Sequence, residues 1–184
     1  MQLLLLLAVF GLTGCASKSP PLIDWTTLAI QVPEGRTLPI PLTVATRYTG
    51  EGEKRLSYLH PRNDRGVIRY DYAEHRYDER ALLTSFGKAA LKQAFAEVTD
   101  ASDNSADIIC TLSADAMLTQ PERAHQVDVT LVMRAQDGRE LGSYRGSAIT
   151  RSATGFDQAA LHNAYTLALF NAIEKVVAEM PVAP

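Results

Sequence analysis

The residues of this sequence that could do chemistry by their type and spacing gather in one short stretch, DYAEHRYDE. It places His75 among four acidic residues, which are Asp71, Glu74, Asp78 and Glu79. An imidazole beside carboxylates could bind a metal ion or transfer protons. The spacing matches no metal-ligand pattern such as HExxH, so a solvated turn followed by helix-initiating acids is the better interpretation. We therefore predict no metal site and no cofactor.

Other candidates for catalysis lack the partners that a catalytic site needs. Neither GxSxG nor GxxxxGK[ST] occurs, and Ser85 lies within a predicted helix, where a nucleophile elbow cannot form. Cys110 stands in a strand-like run with no cation beside it, which predicts a small buried side chain rather than a reactive thiol. A hydrolase would need His75 or His125 close to a carboxylate and a nucleophile in one cleft. The sequence thus predicts a protein that is not an enzyme.

Aromatic side chains and cations are interspersed in a long polar stretch from Arg47 to Gly66. Its glycines and charges predict a mobile loop. Because aromatic and arginine side chains are common in recognition surfaces, this stretch is a candidate interaction loop. Its candidate residues are Tyr48, Arg55, Tyr58 and Arg62. The alternative is a flexible solvated loop whose aromatic side chains fold back on the sheet.

The chain begins with a short apolar run that ends in a cysteine, LLLLLAVFGLTGCAS. A membrane-spanning helix needs about 20 apolar residues, and only residues 3–14 are uncharged and apolar or small. Two prolines at positions 20 and 21 and Asp24 follow, so the run cannot be extended. A secretory signal peptide over residues 1–14 fits better, although no Lys or Arg precedes the leucines.

Leu12-Thr13-Gly14-Cys15 resembles the bacterial lipobox. The resemblance implies that the Cys15 thiol is acylated and that the mature chain starts there, attached to the membrane by its lipid. The alternative is a buried N-terminal helix with an incidental cysteine. Ala16 and Ser17 lack the Asp that often retains such proteins at the inner membrane. We therefore expect the protein to be attached to the periplasmic face of the outer membrane.

Composition and length restrict the function further. Removal of residues 1–14 leaves about 170 residues, enough for one domain with its own core. The polar, proline-containing residues 15–25 predict a lipidated tether, and residues 26–184 predict a single domain. The net charge of −3 argues against binding to nucleic acid, which needs a basic surface. With two cysteines and Cys15 acylated, no intrachain disulfide is available.

Hydrophobic periodicity predicts the elements that would position these residues. The predicted strands are Leu28–Val32, Ile40–Ala45, Val67–Tyr72, Ile108–Leu118, Val127–Arg134 and Glu140–Thr150, the last two joined at Asp137-Gly138. In the third strand, Ile68, Tyr70 and Tyr72 share one face. The predicted helices begin after Asp78 and Asp157 and extend to Val98 and Met180, and Thr99–Asp107 has the composition of a loop.

Alternating apolar and polar residues in the later strands favour antiparallel pairing, with one sheet face covered and one in water. The apolar faces of the two predicted helices would cover one face of the sheet. We therefore predict an α+β fold in which two long helices pack on one face of a mostly antiparallel sheet.

The whole pattern resembles small lipoproteins of the Gram-negative envelope, of the YajG-like or ABC-type transport auxiliary lipoprotein type. The similarity lies in ADIICTLSAD, the hairpin VDVTLVMRAQDGRELGSYRG and the helix DQAALHNAYTLALFNAIEKVVAEM, and it implies no catalytic residues. We expect a lipid-anchored periplasmic accessory protein of an outer-membrane or envelope complex, with a protein partner in the envelope. The alternative is a lipid-binding or small-molecule-binding auxiliary component of an ABC-type transport system.

Overall fold

The computed structural model describes residues 19–100, 105–119, 123–152 and 155–181. The predicted signal peptide, Cys15 and part of the predicted loop after Val98 lie outside these ranges. The elements that the described residues form, after a short 3₁₀ turn at Trp25–Thr27, are β1 (Ile40–Tyr48), β2 (Glu53–Asp64), β3 (Val67–Asp78), α1 (Glu79–Leu91), β4 (Phe95–Asp100), β5 (Ile108–Thr119), β6 (Ala124–Ala135), β7 (Glu140–Arg151) and α2 (Gln158–Glu179).

Five strands form one mixed sheet in the order β4-β1-β5-β6-β7. β1 is parallel to both of its neighbours, β4 and β5, whereas β5, β6 and β7 pair antiparallel. The parallel pairing of β1 with β4 is reached through α1, because parallel strands need a crossover connection. The predicted combination of helices and sheet is confirmed. The predicted antiparallel character is only partly right, since the sheet contains parallel pairs.

β2 and β3 form a separate two-stranded antiparallel hairpin, paired from Glu53 opposite Asp78 to Asp64 opposite Val67. Its turn has a positive φ at both central residues, 52° at Arg65 and 84° at Gly66. This is the backbone of a type I′ turn, which matches the twist of a hairpin. The prediction of a mobile loop from Arg47 to Gly66 was therefore wrong, because most of it is a strand.

Both helices begin where the sequence predicts. The Asp78 carboxylate accepts a hydrogen bond of 2.9 Å from the backbone N–H of Ala81, and the Asp157 carboxylate accepts one of 3.1 Å from that of Ala160. These bonds satisfy backbone donors that lack a partner within the helix. α2 also ends close to the predicted residue, at Glu179.

α1 ends at Leu91, seven residues before the predicted end at Val98. The chain then forms β4, and the carbonyl of Ala94 accepts a hydrogen bond of 2.7 Å from the N–H of Ile40 at the start of β1. Without β4, β1 would be an unpaired edge of the sheet. The pairing partner therefore decides the structure of a segment whose local pattern also fits a helix.

The prediction of a first strand at Leu28–Val32 was wrong, because these residues form no strand. The segment before β1 instead runs along α2 as a strap, defined as residues 19–36. The Asn163 amide accepts a hydrogen bond of 2.8 Å from the N–H of Ile23, near the start of α2. Near its end, Arg36 donates one of 2.7 Å to the carbonyl of Met180. The described part of the predicted tether lies on this helix.

Close contacts join the helices to the sheet. A Cβ at Gly87 of α1 would collide with the Leu112 side chain of β5, and one at Gly146 of β7 would collide with the backbone of α2. Cys110 of β5 is fully buried, and burial raises the pKa of its thiol to about 12. The prediction of a small buried side chain at Cys110 is confirmed. The core is completed by Val44, Leu83, Phe95, Val129, Leu131, Met133, Leu161, Leu169, Ile173 and Val176.

Candidate functional site

The stretch DYAEHRYDE forms the end of β3 and the start of α1, so the expected solvated turn is a strand. His75 is half-buried and stacks on the Phe156 ring, with 3.6 Å between the ring centroids. Asp78 caps α1 and Glu79 is buried. In the part of the chain that the structure describes, no group of three or more His, Cys, Asp or Glu side chains could bind a metal ion.

Glu79 lies at the centre of a buried polar network that joins four elements. Its side chain is at the first residue of α1, and only 1% of the residue is exposed. One carboxylate oxygen accepts hydrogen bonds from the hydroxyls of Tyr165 in α2, at 2.7 Å, and Tyr77 in β3, at 3.3 Å. The other accepts one of 2.8 Å from Tyr48 in β1. The network therefore attaches the base of the hairpin to both helices.

The electrostatics of this network favour structure over proton transfer. Burial raises the pKa of Tyr48, Tyr77 and Tyr165, and the charge of Glu79 raises each of them further. The three phenols therefore stay protonated at neutral pH and act as hydrogen-bond donors. Lys54 of β2 adds a partly exposed positive charge, with its Nζ 3.9 Å from the carboxylate.

A second buried polar group, His125, lies below the start of α2. It is fully buried, and its Nε2 accepts a hydrogen bond of 3.1 Å from the backbone N–H of Asp157. Burial lowers the pKa of His125 to about 4, against an opposing effect of the Asp157 charge. The proton of the neutral ring is therefore on Nδ1, which has no hydrogen-bond partner among the described residues. The bond of Nε2 leads to a backbone amide rather than to a nucleophile, unlike the arrangement that a hydrolase needs.

The four predicted interaction residues do not form one patch. The Tyr48 hydroxyl belongs to the buried network, and the Tyr58 ring faces the domain, 6.2 Å from the Phe156 ring. Arg55 and Arg62 are exposed on β2, but they lie on opposite faces of the hairpin because their sequence separation is odd. The surface that the hairpin exposes follows instead from the pairing of its two strands.

One face of the hairpin is apolar and exposed along its outer half. We call it the outer hairpin face, and its apolar residues are Leu59, Pro61, Ile68, Tyr70 and Tyr72, with the polar Asn63 opposite Ile68. Leu59 is 44% exposed, Ile68 63%, Tyr70 59% and Tyr72 69%. The other face packs on the domain at its base, through the buried Leu56. Sequence periodicity placed three of these residues together, but their neighbours on β2 became visible only through the pairing.

The five-stranded sheet has a second exposed surface, the outer sheet face, on the side of β5, β6 and β7 that carries Asp115, Asp128 and Arg145. One cross-strand row is Met117, Gln126 and Ile149, of which Met117 is 44% and Ile149 62% exposed.

In the next row of the outer sheet face, Asp115 lies directly opposite Asp128, and Asp128 accepts hydrogen bonds from Ser147 and, at 3.1 Å, from Gln126. A depression of about 400 Å³ covers this row and the neighbouring Arg145. Like charges directly opposite each other destabilise a sheet. The row therefore has chemistry that suits a cation from outside the described chain.

A shallow depression of about 510 Å³ lies between β3, α1 and α2. His75, Leu82, Phe86 and His162 contribute to its wall. The rings of Phe86 and His162 meet edge to face, with 5.5 Å between their centroids, and burial lowers the pKa of His162. The ring pair and the lowered pKa of His162 both favour contact with an uncharged aromatic or aliphatic group.

A comparison of the chain with protein-family models and with curated proteins finds no match. The resemblance to envelope lipoproteins therefore stays a prediction from the sequence. In the described ranges no helix combines the length and the apolar character needed to cross a bilayer.

Proposed function

We propose that the protein is a lipid-anchored, non-catalytic accessory protein of an outer-membrane or envelope complex. In this proposal, acyl chains on Cys15 hold the domain at the periplasmic face of the outer membrane, and a partner protein binds the outer sheet face. The lipobox resemblance supports the anchor. The observation that carries the binding role is the exposed row of Met117 and Ile149 beside the facing pair Asp115 and Asp128.

The proposal includes an architecture in which α1 and α2 cover the same face of the sheet. Leu112, which contacts Gly87 of α1, pairs with Leu131, and Leu131 pairs with Tyr144. Gly146, which contacts α2, is two residues from Tyr144 and thus on the same face of β7. The opposite face would then be the one available to a partner.

The chemistry of the outer sheet face defines the kind of partner. An apolar side chain of the partner would contact Met117 and Ile149, and a Lys or Arg would lie between Asp115 and Asp128. The basic side chain would relieve the repulsion that the two facing carboxylates produce in the free protein. Apolar contacts near the centre of an interface contribute most of its affinity, whereas charge pairs add specificity.

Photocrosslinking in living cells tests this function. A photoreactive phenylalanine analogue replaces Ile149 in the full chain, and the matched control carries it at Lys92, an exposed residue at the end of α1. We expect one defined envelope protein to be captured from position 149 and not from position 92. The proposal fails if both positions capture the same set of proteins or if position 149 captures none.

A charge reversal tests the role of the carboxylate pair separately. Asp115→Lys removes the facing negative charges, so the domain should stay folded, as shown by an unchanged circular dichroism spectrum. We expect capture from position 149 to fall several-fold in this variant. Unchanged capture would show that the carboxylates do not contribute to the interface.

The depression between β3, α1 and α2 supports the second candidate, a lipid-binding or small-molecule-binding auxiliary component of a transport system. Its aromatic and aliphatic wall fits a mostly apolar ligand. Native mass spectrometry of protein purified from membranes tests this function. A ligand that is retained by the wild type and lost in Leu82→Glu would favour it over the accessory role.

A further inference from the structure

The outer hairpin face is too small to be a protein interface by itself. Its apolar part spans five residue pairs, from Leu59 opposite Tyr72 to Asn63 opposite Ile68, and presents five apolar side chains. A stable protein–protein interface has about 20–30 residues on each partner. The face therefore fits a contact that assists a protein already held close to its target.

The described chain begins beside this hairpin. Ser19 and Leu22 line a depression of about 490 Å³ together with Phe156, the residue whose ring stacks on His75 of β3. Cys15 precedes Ser19 by four residues, which span at most roughly 14 Å. Cys15 is therefore held close to the hairpin, and a membrane that its acyl chain enters lies beside the hairpin.

We propose that the outer hairpin face lies on the surface of the membrane that holds the anchor, with its side chains in the lipid interface. The inference rests on the acylation of Cys15 in the proposed function. Tyr70 and Tyr72 suit this position, because a tyrosine has an apolar ring and a polar hydroxyl and is enriched where a bilayer meets water. Leu59 and Ile68 beside them supply the apolar area.

The charges of the hairpin agree with a lipid surface. Residues 53–78 contain six Lys and Arg and five Asp and Glu, whereas the whole chain has a net charge of −3. Arg55 lies directly opposite Arg76 at the inner end of the same face. Arg76 is paired with Glu53 on this face, at 3.6 Å, and long arginine side chains also reach lipid phosphates while their stems contact apolar groups.

Because the anchor already attaches the protein to the membrane, a small contact is sufficient for the hairpin to bind the lipid surface. A second contact made by a molecule that is already tethered is intramolecular, and its effective concentration is in the millimolar range for a short tether. The hairpin would thus fix the orientation of the domain on the membrane. In that orientation the domain has one defined side towards the lipid, and the outer sheet face has a constant position relative to it.

Site-specific fluorescence on the acylated full chain tests the inference. Tyr70→Cys is labelled with an environment-sensitive dye, and the matched control is Arg69→Cys, the adjacent residue on the opposite face of β3. The native Cys110 is fully buried and does not interfere. Each protein is reconstituted into vesicles of phosphatidylethanolamine and phosphatidylglycerol that contain a nitroxide-labelled lipid. We expect the label at position 70 to be quenched several-fold more than the label at position 69.

Flotation of the same vesicles separates this inference from the anchor. If the protein floats with the vesicles and both labels stay in water, the anchor holds and the hairpin inference is overturned. Protein that does not float overturns the anchor and, with it, the inference. Failure of photocrosslinking at Ile149 leaves this experiment unaffected, because purified vesicles contain no partner protein. A hairpin that contacts a protein in cells but not lipid in vesicles also overturns the inference.

Discussion

At the scale of single residues, Glu79 has the most consequences for the position of the hairpin. Its carboxylate is the shared acceptor for three phenols that come from β1, β3 and α2. We expect Glu79→Ala to lower the free energy of unfolding by about 2 kcal/mol, because it removes the acceptor that Tyr77 and Tyr165 share, whereas Tyr48 keeps the Glu51 carbonyl at 2.6 Å. Glu79→Gln keeps one acceptor oxygen and should lose less. Urea denaturation measures both, and equal losses would contradict this role of the network.

His125 predicts how stability changes with pH. Its pKa of about 4 in the folded protein lies below the ordinary value of 6.5, because burial disfavours the charged ring. The unfolded chain therefore binds a proton at His125 more tightly than the folded protein does. The contribution of His125 to the free energy of unfolding is complete above pH 6.5 and is lost as the pH falls towards 4. This loss amounts to about 3 kcal/mol.

Unfolding free energies of wild type and His125→Gln across this pH range check the prediction. The decline of stability towards low pH should be clearly smaller in His125→Gln than in the wild type. His60→Gln, which changes an exposed histidine on the hairpin, is the control and should keep the wild-type slope. If His125→Gln also keeps the full slope, another group causes it.

At the scale of elements, the hairpin depends on one buried side chain of β2. Leu56 is only 3% exposed and packs in the core, whereas Leu59 on the same strand is 44% exposed. We expect Leu56→Ala to destabilise the protein by about 3 kcal/mol through the cavity it leaves. Leu59→Ala should change stability by less than about 0.5 kcal/mol. Similar effects of the two variants would indicate a mobile segment instead of a packed strand.

The packing of α2 on β7 depends on the absence of a side chain at Gly146. A Cβ there would collide with the backbone of Ala168 and Ala172, which cannot move without moving the helix. We expect Gly146→Ala to cost about 2 kcal/mol. Gly52→Ala is the control, because its Cβ would have its nearest neighbour at 4.0 Å. Thermal unfolding of both variants tests this, and a stable Gly146→Ala protein would contradict the close contact.

The elements that the sequence predicts correctly are those that local interactions determine. Asp78 and Asp157 cap the helices, and Asp137-Gly138 turns the chain between β6 and β7. β2 was not predicted because it is charged and mostly exposed. The turn that ends it was not predicted either, because Arg65 takes a positive φ that glycine or asparagine usually adopts. β4 was not predicted as a strand because only its pairing with β1 distinguishes it from a continued helix.

The two candidate surfaces were predictable only in part for a related reason. Periodicity places Ile68, Tyr70 and Tyr72 on one face and shows alternation in β6, but it does not show which residues lie opposite on the neighbouring strand. Asp115 and Asp128 are 13 positions apart in the sequence and become a facing pair only through the register of β5 and β6. The exposure of Ile149 likewise follows from the arrangement of the helices, which one segment does not determine.

At the scale of the whole molecule, the proposals describe a domain with three differently used sides. The helices and the strap form one side, the outer sheet face is a second, and the outer hairpin face is a third. In the proposed arrangement the hairpin lies on lipid beside the anchor and the outer sheet face binds a partner. The position of the domain on the membrane depends on acylation of Cys15, because a small apolar hairpin face would not hold an untethered protein at a membrane.

The most direct test of the account is therefore the mass of the N-terminal peptide of the protein purified from the membranes of its own cells. We predict a peptide that starts at Cys15 and carries the mass of attached acyl chains, and its absence from Cys15→Ser, which should remain unprocessed. A mature chain that starts elsewhere, or a Cys15 that carries no lipid, would contradict the anchor and the functions proposed with it.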